Sequence, residues 1–184
     1  MHLLRAGTSA GVSLVLWQLN VAGSLAWAAH GFSVLRPQLM WPNAILFLGA
    51  VSVAVLVSRS RGLAIVPRLA WPVALGAALF GLDVLAGAGV FGLVVAVPGA
   101  IGTINQFLEM RGSRDLGGVA VGYLALNAVM QALWWTWGIL STEWAIIGCA
   151  SVLATLAVVN LSYYLQRTLR SPATDATPVA EPAH

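Results

Sequence analysis

Apolar residues fall into six runs, near residues 11–31, 40–58, 69–87, 89–109, 118–138 and 144–165, separated by short polar or arginine-bearing stretches. Each run is close to the ~20 residues that a helix needs to cross a bilayer. No alternating barrel pattern is present, and backbone in lipid must bond to itself, so six transmembrane helices are predicted. The few polar positions inside the runs are ordered. Asn20, Ser24 and Trp27 stand at offsets of 0, 4 and 7 on one helical face, which Ser13 extends by a further seven. Asn127, Gln131 and Trp134 repeat that spacing in the fifth run.

The recurrence is wider than these three positions. A shift of 107 sets Gly11 on Gly118, Val12 on Val119, Leu19 on Leu126, Asn20 on Asn127, Trp27 on Trp134 and Gly31 on Gly138. Glycines, tryptophans and an intramembrane asparagine that match without gaps define an internal repeat. The second unit holds three helices and the first only two, followed by a linking helix. The counterpart of 89–109 falls near −18 to 2, so a seventh helix is expected ahead of this chain in the natural protein. The predicted organisation is 1–58 for the first unit with two of its three helices and 59–88 for the connection and linking helix. The second three-helix unit covers 89–166, and 167–184 is a disordered tail.

Composition agrees with a lipid solvent. Of 184 residues, 59% are hydrophobic and 8% charged, with mean hydropathy +0.87, against the roughly 25% charged residues of soluble domains. All nine basic residues are arginines, scattered singly or in pairs between the runs, which suits topogenic anchors rather than nucleic-acid binding. Eight of the nine lie on one side of the predicted bundle, and only Arg36 lies on the other. The positive-inside rule makes the crowded side, with both termini of this chain, cytoplasmic. Cys149, the single cysteine, has no intrachain partner. Paired carboxylates, metal-ligand clusters and nucleophile–base spacings are missing, which argues against an enzyme and calls for no cofactor.

Several short motifs carry a family resemblance. Asn105-Gln106 in NQFLEMRGSRDLGGVA occupies the place of a Pro-Gln dipeptide, and Gly118-Val119-Ala120 and Gly11-Val12-Ser13 close the loops that follow. Trp27-Ala-Ala-His30-Gly31 and Trp134-Trp-Thr-Trp137-Gly138 match a Trp, two residues, Tyr, Gly helix end, and Pro42-Asn43 matches a Pro-Asn helix start. In this order and spacing, over about residues 4 to 166, the chain resembles the SWEET sugar transporters and other PQ-loop (MtN3/saliva) proteins. The resemblance implies an all-α integral membrane fold of two three-helix bundles joined by a linking helix, a 3-1-3 plan that here lacks its first helix. It further implies a carrier in the plasma membrane that works by alternating access around an axis along the membrane normal.

By that resemblance Trp27 and Asn43 match the tryptophan and asparagine that contact substrate in the family's central cavity. The chemistry suits a sugar: an indole covers the C–H face of a pyranose, and a carboxamide both donates to and accepts from hydroxyls. Asn20, Asn127 and Trp134 complete the expected site. In the second unit Ile147-Gly148 stands for the Pro-Asn start, so Gly148 is expected to remove the matching carboxamide, leaving Ser151 and Thr155 to supply hydroxyls. Asp83, the one acid well inside an apolar run, is expected near the outer end of the linking helix, reaching headgroups, with a proton site as the alternative. His30 stands where the family tends to have tyrosine, and no pH role is expected of it. Glu109, Asp115 and Glu143 are placed in loops or at helix ends, and Trp41, Trp71 and Trp144 in an interfacial belt. Three functions remain open: a passive carrier of small neutral solutes such as sugars, a PQ-loop carrier of an amino acid or vitamin, and a membrane scaffold or partner subunit. The partners expected are lipid and a small solute, with room for a homo-oligomer and no nucleic acid.

Overall fold

The computed structural model describes residues 13–113, 116 and 119–170. Arg5, Gly11-Val12, Arg114, Asp115, Gly118 and the tail beyond Arg170 lie outside the described residues. Six helices follow one another: α1 Leu14–Ser33, α2 Pro37–Ser60, α3 Ile65–Ala86, α4 Ala88–Gly112, α5 Val121–Ser141 and α6 Trp144–Arg170. No strand occurs among the described residues.

Local chemistry sets the boundaries. The Ser13 hydroxyl caps α1 by accepting from the Leu16 amide at 3.2 Å. Proline opens α2 at Pro37, where its missing N–H is harmless, so the helix starts earlier than the apolar run alone predicts. At the other extreme α6 passes the predicted end near 165 and runs to Arg170, so residues 167–170, expected in the disordered tail, are helical. The Arg167 guanidinium donates to the Met110 carbonyl at the end of α4, which gives that extra turn a partner.

Four of the helices, α2, α3, α4 and α6, are long and apolar enough to cross a membrane. The other two, α1 and α5, carry the ordered polar face and are diluted by Gln18, Asn20 and Ser24 in one and Asn127 and Gln131 in the other. Large apolar side chains stand exposed all around the outside, Ile45, Leu48, Val66, Leu85 and Leu140 among them. Contiguous apolar surface on this scale calls for lipid around it. With the four spanning helices, it marks an integral membrane protein. Trp41, Trp71 and Trp144 are exposed.

The helices pack in two groups. In one, α1 lies against both α2 and α3; in the other, α6 lies between α4 and α5. The backbones of the two groups approach where α3 runs against α4. Contacts inside each group are intimate. A Cβ added at Gly92 in α4 would stand 2.0 Å from the Ala145 carbonyl oxygen of α6, so these two helices touch backbone to backbone. Small residues allow such an approach, the usual means of helix association in lipid. Buried amides tie the rest. The Gln18 side chain donates to the Arg68 carbonyl at 2.7 Å, and Asn160 donates to the Thr103 carbonyl at 2.9 Å and to Gln106 Oε1 at 3.3 Å.

The repeat read from the sequence recurs as geometry. The turn after α1 places Leu35 at φ 54°, and the turn after α5 places Thr142 at φ 56°. The amide of Arg36 bonds the Gly31 carbonyl at 2.8 Å, and the amide of Glu143 bonds the Gly138 carbonyl at 2.9 Å. Gly31 lies against Leu39 and Met40, and Gly138 against Ile146 and Ile147. Every pair of positions is separated by 107, as Arg36 and Glu143 are.

Candidate functional site

Between the two groups lies a cavity of about 220 Å³, lined by Trp27, Leu39, Asn43, Gln131, Trp134, Ile146, Cys149, Ala150 and Leu153. No charged side chain is among them. Helical period puts Trp27 on the polar face of α1 and Trp134 on the equivalent face of α5, and the repeat brings both to one space. Three pairs of its lining residues are repeat equivalents: Trp27 with Trp134, Leu39 with Ile146, and Asn43 with Ala150.

This arrangement corrects the reading of the second unit. The position equivalent to Asn43 is Ala150, not Gly148. Gly148 instead faces α4, where an added Cβ would lie 3.2 Å from the Gly89 carbonyl oxygen. Neither of the hydroxyls expected to replace the carboxamide lines the cavity. Ser151 accepts from Trp135 Nε1 at 3.0 Å, and Thr155 donates to the Ser151 carbonyl of its own helix at 2.8 Å. The polar complement of Asn43 comes from Gln131, one turn before Trp134.

Of the five predicted site residues, Trp27, Asn43 and Trp134 meet in this cavity. Asn127 lies next door, in a chamber of about 570 Å³ that shares Gln131 and Leu153 with it and is lined further by Pro98, Gly102, Thr103, Asn105, Gln106 and Glu109. Asn20 reaches neither space; its amide donates to the Leu16 carbonyl one turn back at 2.9 Å. Ser24, buried, likewise donates to the Asn20 carbonyl at 2.5 Å. Asn43 donates to the Leu39 carbonyl at 2.8 Å, which leaves its carbonyl oxygen and second N–H for a ligand.

Trp27 is held by aromatic neighbours. Its ring meets Phe91 edge-on at 5.0 Å and His30 edge-on at 5.7 Å. Trp134 is buttressed by Trp137 at 5.9 Å. Pro98 interrupts α4 beside the chamber and removes one backbone donor there, a place where a helix bends easily.

A polar cluster lies at the two equivalent turns and meets the cavity wall where His30 packs on Trp27. His30 is fully buried, and its Nδ1 lies 2.7 Å from Asp83 Oδ2 on α3. Arg36 donates through Nε to Glu143 Oε1 at 2.7 Å and through Nη2 to the Ser141 carbonyl at 3.0 Å, joining the turn after α1 to the turn after α5. His30 Nε2 faces Glu143 Oε2 at 3.9 Å. Asp83 therefore does not reach for headgroups: its side chain is only 8% exposed, because a buried imidazole one helix away offers a better partner than the membrane surface. Glu143, at the helix end where it was expected, is buried as well. These four residues come from three separate stretches, so no local pattern announced them; the one signal was an acid inside an apolar run.

No protein-family model matches the chain, and neither does any curated protein or any solved structure.

Proposed function

We propose that the chain is a membrane carrier that moves a small neutral solute by alternating access, with a monosaccharide as the preferred substrate. The observation that carries this reading is the uncharged cavity between the two repeat units, walled by two equivalent indoles and served by the carboxamides of Asn43 and Gln131. A charged solute would need a counter-charge at that depth, and the lining supplies none. Stacked indoles and amides are the groups that take up the alternating C–H faces and hydroxyl edges of a pyranose. The volume of about 220 Å³ lies below the ~300–1,000 Å³ of pockets for larger ligands, which favours one ring over two.

The fold lends itself to the work. In this reading α1 and α2 belong to one unit, α4, α5 and α6 to the other, and α3 links them in the plan of the SWEET and PQ-loop carriers. The arginine-poor end is bridged by Arg36 and Glu143, while the larger chamber sits toward the arginine-rich end. With the arginine-rich end taken as cytoplasmic, this reading makes it a carrier closed to the outside and open to the cytoplasm.

The test is uptake into liposomes holding the purified protein. Labelled glucose is expected to enter with saturation and labelled sucrose to be excluded, with Asn43→Ala raising the half-saturating concentration several-fold. A well-folded protein that moves neither sugar above the protein-free rate would end the carrier reading for sugars. The single cysteine gives a second measurement. Cys149 lines the cavity, so a small neutral thiol reagent is expected to label it and slow uptake, glucose to protect it, and Cys149→Ser to be immune. Labelling that ignores glucose would move the binding site elsewhere.

A further inference from the structure

His30 has two nitrogens and one partner. With Asp83 ionised, Nδ1 carries the hydrogen and donates it at 2.7 Å. Nε2 then points a lone pair at Glu143 Oε2, 3.9 Å away, and finds no hydrogen-bond partner among the described residues although it is wholly buried. Two acceptors facing each other in a dry place are a mismatch, and buried nitrogens are rarely left so. The charges are also out of balance, with the carboxylates of Asp83 and Glu143 set against the single guanidinium of Arg36. One more proton on the imidazole corrects both faults.

We propose that His30 is a proton-binding site, and that the proton taken up at Nε2 locks the two repeat units together at this end. The bound proton makes Nε2 a donor to Glu143, so that α1 and α3 on one side and the α5–α6 turn on the other hold one continuous chain: Asp83, His30, Glu143, Arg36. Every charged group that faces His30 takes part: Asp83 from α3, Glu143 from the α5–α6 turn, and through it Arg36 from the α1–α2 turn. On α4 the ring meets Phe91, at 5.2 Å and 33°, whose π-face suits a cationic imidazole. Histidine is the side chain whose charge changes in the physiological range, so the lock responds to the pH of the compartment that this end meets. The proposal takes the opposite side from the expectation that His30 has no part in pH response.

The lock's bearing on transport rests on the carrier reading above, so the test has one readout that needs no transport. The full chain in detergent is unfolded thermally at about pH 5.5 and about pH 8, across the range in which histidine titrates. Wild type is expected to melt roughly 2–4 °C higher at the acidic pH, the shift that about a kcal-scale contact gives a chain of this size. His30→Gln is expected to lose that difference. Glu143→Gln keeps the shape and offers Nε2 an amide hydrogen without a proton, so it is expected to fold and to melt alike at both pH values. Wild type that melts alike at both, or either variant that keeps the wild-type difference, would overturn the proposal. In liposomes glucose flux should slow several-fold at the acidic pH in wild type and stay slow at both in Glu143→Gln. A melting difference with pH-independent flux would overturn the coupling. The melting signature with no flux at any pH would leave the proton site standing and end the carrier reading instead.

Discussion

Trp134→Ala is expected to weaken solute binding about tenfold to a hundredfold, without disturbing the chain's helical content. The indole edge-stacks on Trp137 and lines the cavity, so the variant removes one of its walls. Burying an apolar side chain of this size against a partner stabilises by about 1.5–3 kcal/mol, and every 1.4 kcal/mol is a factor of ten in affinity. Half-saturation of glucose uptake should rise by that factor, and Trp134→Phe should fall in between. Trp27→Ala should show the same loss together with a lower melting temperature, since Trp27 also packs on Phe91 and His30. Equal, small effects from both alanine variants would mean that the two indoles do not share a ligand.

Gly92→Val is expected to be the most damaging single change outside the cavity. Its Cβ would fall 2.0 Å from the Ala145 oxygen and 2.7 Å from the Ala145 carbonyl carbon. Both are backbone atoms of a helix that cannot yield locally. Overpacking of this kind costs about 1–3 kcal/mol and more where the backbone must move, so α4 and α6 should separate and the protein should lose monodispersity in detergent. Gly81→Ala and Gly102→Ala are the controls. Nothing lies within 4 Å of either added Cβ, and alanine is better than glycine inside a helix by about 0.5–1 kcal/mol, so these two should melt at or above wild type. If Gly92→Val survives as they do, the tight crossing of α4 and α6 is wrong.

The membrane character and the helices were readable because hydrophobic run length and polar periodicity are local signals. The repeat was readable for a different reason: glycines and tryptophans are expensive to align by chance, and their offset of 107 carried Trp27 and Trp134 to equivalent places. Where the reading slipped, two residues of register decided it. Matching Pro42-Asn43 to Ile147-Gly148 by resemblance abandoned the constant offset, and the offset was right: Ala150 takes the place opposite Asn43. Asn20 lines neither space because a polar side chain on that face still has its own backbone to bond, one turn away. The His30–Asp83 pair was invisible since its partners are 53 residues apart, on helices whose mutual rotation no one-dimensional pattern fixes. Each alone read as a polar group near a helix end.

The bridge between Arg36 and Glu143 depends on the two repeats being unlike. The two residues occupy the same position in the two repeats, and they touch. A symmetric pair of identical half-length chains sets each residue at such a position against its own copy: arginine against arginine, or glutamate against glutamate, with like charges in contact. Opposite charges can meet there only where the two copies differ in sequence. The ion pair is therefore a contact that two identical halves could not make, and it rests on the difference between the two repeats.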